Sequence, residues 1–215
     1  MRKTVKKRVY NSTNRRQAAE TTRQSILEAA REIFLSRGYA AATMPAIALA
    51  AGIALDTVYA TVGKKPALFR LLVETALSGT NSPVPGEERN YVKEIREETD
   101  PRRKLELYAA AITEIQPRLA PLVSVLQAAA PLDPELDALW NSISERRARN
   151  MMLFAEDLAS TGKLRQSLSL QKAADILWSM NSPEFYLLLV HQRKWTASEF
   201  QAWLAEIWVT LLVEP

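Results

Sequence analysis

The chain contains no cysteine. That excludes a disulfide framework, a thiolate zinc site and a cysteine nucleophile. It contains a single histidine, His191, which excludes a histidine-clustered metal centre or a pair of catalytic histidines. Six glycines among 215 residues are too few for the many turns of a strand-rich fold. Apolar runs are short: the longest, such as that at 185–190, has six residues, against about 18 for a membrane span. The basic N-terminus has no apolar segment behind it and does not read as a secretory signal. No Gly-rich phosphate loop, zinc-ligand spacing or Gly-x-Ser-x-Gly elbow occurs. What is present is a hydrophobic fraction of 47%, enough for a real core, with 24% charged residues. The expectation is an all-α, cytoplasmic protein with no metal, no cofactor, no catalytic residue and no membrane partner.

Charge is spread unevenly. Residues 1–70 carry 13 Lys and Arg against four acids, a balance of +9, whereas the remainder carries 15 against 20, a balance of −5. A basic N-terminal third on an acidic remainder points to a polyanion at one end only. Within residues 1–19 stand Arg2, Lys3, Lys6, Lys7, Arg8, Arg15 and Arg16 with no acid at all. Such an arm is suited to phosphates or a minor groove; a solvated surface or a cloning remnant is the plainer reading.

From Thr21 the pattern is helical: Ile26, Ala30, Ile33 and Phe34 recur at helical spacing, and Gly38 stops the run. Thr43 offers an N-cap to a short second helix carrying Met44, Ile47 and Ala48 and stopped by Gly52. A third short helix has Val58 and Val62 on its inner face, and Lys64-Lys65-Pro66 opens a fourth. Two short helices joined by Ala51-Gly52-Ile53-Ala54 and braced by longer ones read as a helix-turn-helix. An ordinary three-helix core without a ligand has the same pattern, and the +9 balance favours the DNA-binding reading.

Residues 79–99, with Gly79, Pro83, Pro85 and Gly86 and then a charged stretch, read as a linker. Asp100-Pro101 opens a helix to about Gln116, and Pro117 and Pro121 bound the start of the next. Asp133-Pro134 opens a long helix to about Ser160, another runs from about Leu170 to Met180, and Ser182-Pro183 starts a further one. Thr196-Ala197-Ser198-Glu199 is a capping box, with Trp195 and Phe200 at the staple positions. The stripe that follows, Phe200, Trp203, Leu204, Ile207, Trp208 and Leu211, is intrachain core or a subunit interface.

Arg23 to Gly38, then Tyr39, Thr43-Met44, Ile47-Ala48, Ala51-Gly52-Ile53, Thr57-Val58-Tyr59 and Lys65 to Phe69 resemble, in order and spacing, the N-terminal domain of the TetR family of transcriptional regulators. The resemblance covers roughly residues 20–70, with weaker echoes at Ala173 to Trp178, Ser182-Pro183-Glu184 and Ala202-Trp203-Leu204. It implies a homodimer, most often a repressor, that binds a palindromic operator on double-stranded DNA and is released by a small effector held in the C-terminal domain. By position, residues 55–62 become the recognition helix. Tyr59 and Lys65 match phosphate-contacting positions, and Thr43 sits at a helix N-terminus suited to an anion. Leu55, Asp56, Thr57, Ala60, Thr61 and Lys64 complete the surface, with Arg15 and Arg16 from the arm. Three departures weaken it. Ala54 replaces a capping Ser or Thr, Ala60-Thr61 replaces an aromatic pair, and Asp56 brings a carboxylate toward phosphate.

The expected architecture is a three-helix N-terminal head with a helix-turn-helix and a C-terminal helical bundle, about nine to ten helices in all. The divisions are an arm at 1–19, a head at 20–78, a linker at 79–99 and an effector and dimerisation domain at 100–215. Tyr108, Gln127, Trp140, Asn150, Met151, Phe154, Trp178, Asn181 and Phe185 are the candidates for an apolar effector cavity, and plain core is their alternative. Trp203, Leu204, Ile207, Trp208 and Leu211 are the candidates for the dimer interface. A regulator without a small-molecule input, a helical protein adaptor and an enzyme are the remaining readings.

Overall fold

The computed structural model describes residues 12–214. Arg2, Lys3, Lys6, Lys7 and Arg8 of the basic arm lie outside the described residues. Among the described residues there are ten α-helices and no strand: α1 (Ser12–Ala41), α2 (Met44–Ala51), α3 (Leu55–Val62), α4 (Lys65–Ser78), α5 (Asn90–Glu97), α6 (Pro101–Ala129), α7 (Pro134–Ser160), α8 (Leu170–Met180), α9 (Pro183–Tyr186) and α10 (Ala197–Leu212). A π-helical stretch, Leu187–Gln192, continues α9. The all-α expectation holds. No single helix among the described residues is long and apolar enough to cross a membrane.

The helix starts follow their capping residues. The Thr43 side chain accepts from the Ala46 amide, Asp100 from Arg102, Asp133 from Glu135 and Leu136, and Ser182 from Phe185. Thr196 and Glu199 form both bonds of the capping box. Each satisfies amides that the first helical turn leaves unpaired. Gly38 interrupts α1 with φ 74 and ψ 170, a non-helical conformation open to glycine, and a last short turn runs on to Ala41.

Three elements differ from the sequence reading. Helix α1 begins by Ser12, so Arg15 and Arg16 stand on a helix rather than on an extended arm. The charged stretch after Gly86 contains α5, which lays Tyr91 and Ile95 on the C-terminal core. Pro117 and Pro121 lie inside α6 instead of dividing it. An interior proline costs a helix about 3 kcal/mol. Here the stripe Ile112, Ile115, Leu119, Leu122, Val123 and Leu126 is buried along the same helix and offsets that loss.

The apolar interior forms two clusters. One joins the head (Phe34, Ile47, Val58, Leu68, Phe69) to the C-terminal end of α6 and the N-terminal end of α7 (Leu122, Leu126, Leu136, Leu139). The other gathers α5, the N-terminal half of α6, the C-terminal half of α7, and α8 to α10. Helices α6 and α7 therefore each have one end in the core of the head and the other in the C-terminal core.

Candidate functional site

The helix-turn-helix is built by local geometry. Gly52 takes the left-handed conformation, φ 66 and ψ 28, and donates to the Leu49 carbonyl. The Ile53 amide closes the turn on the Ala48 carbonyl at 3.0 Å. This pair of bonds ends α2 with a Schellman turn, and α3 leaves at 103° to it. Ile47 and Val58 are fully buried beneath the two helices. Ala54 provides no side-chain cap to α3, as its residue type implies.

Helix α3 exposes Asp56, Thr57, Tyr59 and Ala60 on its outer face. Thr61 is half-buried, and its hydroxyl donates to the Thr57 carbonyl at 2.7 Å. Leu55 is half-buried against the head core, so its side chain belongs to the packing rather than to a base-reading surface. Thr43, at the start of α2, and Lys64, at the start of α4, are exposed, as are Arg15 and Arg16. The Lys65 ammonium sits 4.2 Å from the centre of the Tyr39 ring and 3.5 Å from the Ala40 carbonyl. Partial burial lowers the Lys65 pKa, opposed by Asp133. Burial pushes the Tyr39 hydroxyl up to about 12, with Asp133 and Glu135 adding to the effect.

The junction between head and body is held by polar groups that the sequence reading missed. Arg31 donates to the Arg118 carbonyl at 2.8 Å, Arg118 donates to the Ala76 carbonyl at 3.2 Å, and Arg146 pairs with Glu74 at 2.8 Å. All three contacts link helices distant in the chain, which no local pattern reveals.

Of the nine effector-cavity candidates, the structure brings Tyr108, Met151, Phe154, Trp178 and Asn181 together in the second core cluster. Asn181 donates to the Tyr108 hydroxyl at 2.6 Å and lies 3.0 Å from the Met151 sulfur. Tyr108 stacks on Trp208 and meets Phe154 edge-on. Burial drives the Tyr108 hydroxyl pKa well above its ordinary value. Phe185 packs on the same cluster, and the remaining three lie elsewhere. Trp140 packs on the head-side cluster, because its turn of α7 faces the head. Asn150 is exposed on the outer face of α7. Gln127 is bonded to the Glu184 carboxylate near the surface. Phe185 stacks on Trp203, 5.6 Å between ring centres.

Two residues of this core were not anticipated. Arg147 donates to the Trp178 carbonyl and to the Asn181 side-chain oxygen, both at 2.7 Å. Gln116, buried, donates to the Asn181 carbonyl at 2.7 Å. The signal was available. Arg147 falls in the α7 stripe of Ile143, Met151, Phe154 and Leu158, and Gln116 in the α6 stripe of Ile112, Leu119 and Ala120. A polar residue at a core register position marks a buried polar site.

The interface stripe on α10 divides. Leu204 and Trp208 are completely buried inside the chain, Trp208 against Tyr108. They are core, which corrects the expectation that they face a partner: α10 lies on α6 and turns this side of its stripe inward. Trp203 and Ile207 remain half-buried and Leu211 exposed. Exposed Leu188 on the π-helical stretch and half-buried Trp195 add apolar surface at this end of the chain.

Residues 26–72 match the sequence profile of the family described as bacterial regulatory proteins, tetR family. Among solved structures the fold is similar to that of NalD, the secondary repressor of the MexAB-OprM multidrug efflux pump in Pseudomonas aeruginosa. That likeness has 22% identity over 92% of this chain and 98% of that one, with a TM-score of 0.70. It is similar also to SmeT in its triclosan complex (17% identity, 90% and 92% covered, TM-score 0.69). A Saccharomonospora viridis protein in complex with choline is a third such structure (17%, 90% and 98%, 0.67). No curated protein matches the chain by sequence. Residues 26–72 are thus similar to the tetR-family head, and the chain as a whole shares the fold of these solved structures.

Proposed function

We propose that the protein is a cytoplasmic, homodimeric repressor that binds a palindromic operator through α3 and releases it when a small, largely apolar effector enters the C-terminal core. The observation that carries the reading is the outer face of α3. It presents Asp56, Thr57, Tyr59 and Ala60 within an N-terminal third, residues 1–70, whose formal net charge is +9. A short helix held at 103° to its predecessor is the arrangement that enters a major groove. Lys64, Lys65, Arg15, Arg16 and the Thr43 N-terminus of α2 would serve as its phosphate contacts. The remaining apolar surface of Trp203, Ile207 and Leu211 supports pairing of two copies, since a two-fold interface sets one patch against itself. The repressors and ligand complexes among the similar folds favour the effector half of the reading.

Selection of bound sequences from random duplex DNA tests it. The expected product is a palindrome with half-sites about one helical turn apart, bound by a dimer. Binding that is no tighter to any selected sequence than to bulk DNA would overturn the proposal. A second reading, a regulator with no small-molecule input, is favoured by one observation. Tyr108 already packs on Phe154 and Trp208, 5.0 and 5.4 Å between ring centres, and lines neither a surface groove of about 660 Å³ along α6 and α10 nor one of about 600 Å³ between the head and Ser124–Asp133.

A further inference from the structure

Arg147 lies half-buried at the edge of the C-terminal core without an acid beside it. No carboxylate comes within salt-bridge distance of its guanidinium among the described residues. Its hydrogen-bond partners are neutral oxygens, the Trp178 carbonyl and Asn181 Oδ1, and it lies 5.0 Å from the centre of the Trp178 ring. The contrast with Lys104 in the same cluster of helices is informative. That buried ammonium has both the Ile95 carbonyl and the Asp157 carboxylate at 2.7 Å, which completes an internal ion pair. Glu184 acts on Arg147 only through longer-range attraction, and its carboxylate is bonded to Gln127.

Groups beside Arg147 and deeper in the same core are also incompletely bonded. The indole N–H of Trp178 and that of Trp208 are buried without an acceptor. The Gln116 Oε1 is buried without a donor, and the amide cannot be flipped to cure this because its Nε2 already donates to the Asn181 carbonyl. A half-buried cation without a counter-ion and unmet indole donors suit an oxygen-rich anion. The rings of Tyr108, Phe154 and Trp208, packed on one another beside Asn181, are the apolar surface that adjoins it.

We infer that the effector is an amphipathic carboxylic acid whose carboxylate is received by Arg147 and whose apolar part enters among Tyr108, Phe154 and Trp208. This deepens the effector half of the proposed function and rests on it. A guanidinium matches a carboxylate with two parallel hydrogen bonds. Gln116 Oε1 would accept from a hydroxyl on the same molecule. Asn181 ties the site to α6 through Tyr108 and Gln116 and to α7 through Arg147, so an anion drawn into it acts on the two helices that reach the head.

The test uses the full chain and two matched pairs of probes: decanoate against 1-decanol, and 4-phenylbutyrate against 4-phenylbutan-1-ol. Calorimetry and tryptophan quenching measure affinity, and operator release is followed in parallel. The expected result is that each acid binds the native protein at least tenfold more tightly than its alcohol. Arg147→Met should erase that preference while leaving the alcohol's affinity in place, and Arg147→Lys should keep part of it. Loss of Arg147 could also unfold the end of α8, so a variant-free readout accompanies these. With carboxyl-labelled ¹³C-decanoate, the bound carboxylate should stay ionised to lower pH than the free acid. Alcohols that bind the native protein as tightly as the acids would overturn the inference and leave an apolar effector. Operator binding with no probe bound at all would overturn both the inference and the effector half of the function, leaving the DNA half intact.

Discussion

The Lys65 ammonium lies over the ring of Tyr39, 4.2 Å from its centre. Lys65 begins α4, whereas Tyr39 follows the Gly38 kink at the end of α1. The contact therefore fixes a phosphate-contacting candidate to a ring that is itself wedged between Phe34 and Phe69, 5.6 and 5.5 Å from their centres. The body is near as well: Asp133, the cap of α7, acts electrostatically on both residues.

Lys65→Ala should weaken binding to every DNA sequence alike and lower the slope of log affinity against log salt by about 0.9, the value of one lost phosphate contact. Tyr39→Phe should retain most of the affinity, because the ring and not the hydroxyl holds the ammonium. Tyr39→Leu should lose about 0.5–1 kcal/mol of positioning. Salt titrations of binding to one duplex separate the three. An unchanged slope for Lys65→Ala would remove Lys65 from the interface.

Ala54 leaves the first turn of α3 without a side-chain cap. Ala54→Ser should stabilise the protein by about 1 kcal/mol, and Thr43→Ala should cost a similar amount at α2, where the side chain accepts from Ala46 at 3.3 Å. Thermal unfolding of both variants measures the two caps against each other. Equal melting temperatures for all three proteins would show that neither cap matters to the head.

The two sides of α10 should respond differently to charge. Trp208→Glu places a carboxylate in a fully buried site beside Tyr108. It should unfold the C-terminal core, a cost of several kcal/mol. Ile207→Glu, half-buried, should leave a folded protein that sediments as a monomer if this face pairs two copies. A folded, dimeric Ile207→Glu protein would move the interface elsewhere.

Gly79 has φ +69, and a Cβ there would meet the Arg118 guanidinium at 2.8 Å. Gly79→Ala should cost about 1 kcal/mol for the left-handed backbone. It should also push Arg118 from the Ala76 carbonyl that it holds at 3.2 Å. The measurable result is a lower melting temperature together with faster hydrogen exchange at the end of α4. Faster exchange confined to α8 would argue against this junction.

Bonds from the Thr196 backbone and then from its hydroxyl hold the Glu199 carboxyl below its ordinary range. A group whose folded pKa is lowered stabilises above its unfolded pKa, and the contribution fades as pH falls through the folded value. The melting-temperature difference between the native protein and Glu199→Gln should therefore be constant at neutral pH and shrink below about pH 4. A difference that persists unchanged into acid would assign the effect to geometry rather than charge.

The helix starts were legible in the sequence because capping is local. Thr43, Asp100, Asp133, Ser182 and the pair Thr196 and Glu199 bond to amides two or three residues away, and such bonds depend on little else. The turn at Gly52 was legible for the same reason. Its left-handed backbone is open to glycine, and the spacing of Ile47 and Val58 sets the inner faces on either side. The tertiary structure alone decided what each face meets. The α10 stripe is wide enough to serve two neighbours, and only the packing on α6 assigns Leu204 and Trp208 inward while leaving Trp203, Ile207 and Leu211 at the surface. Trp140 and Phe154 share one helix but join different cores, since α7 is longer than either core is wide. Pro117 and Pro121 read as breaks until burial along α6 outweighed them. Arg147 became a site only when Trp178 and Asn181, more than thirty positions away in the chain, closed around it without supplying an acid.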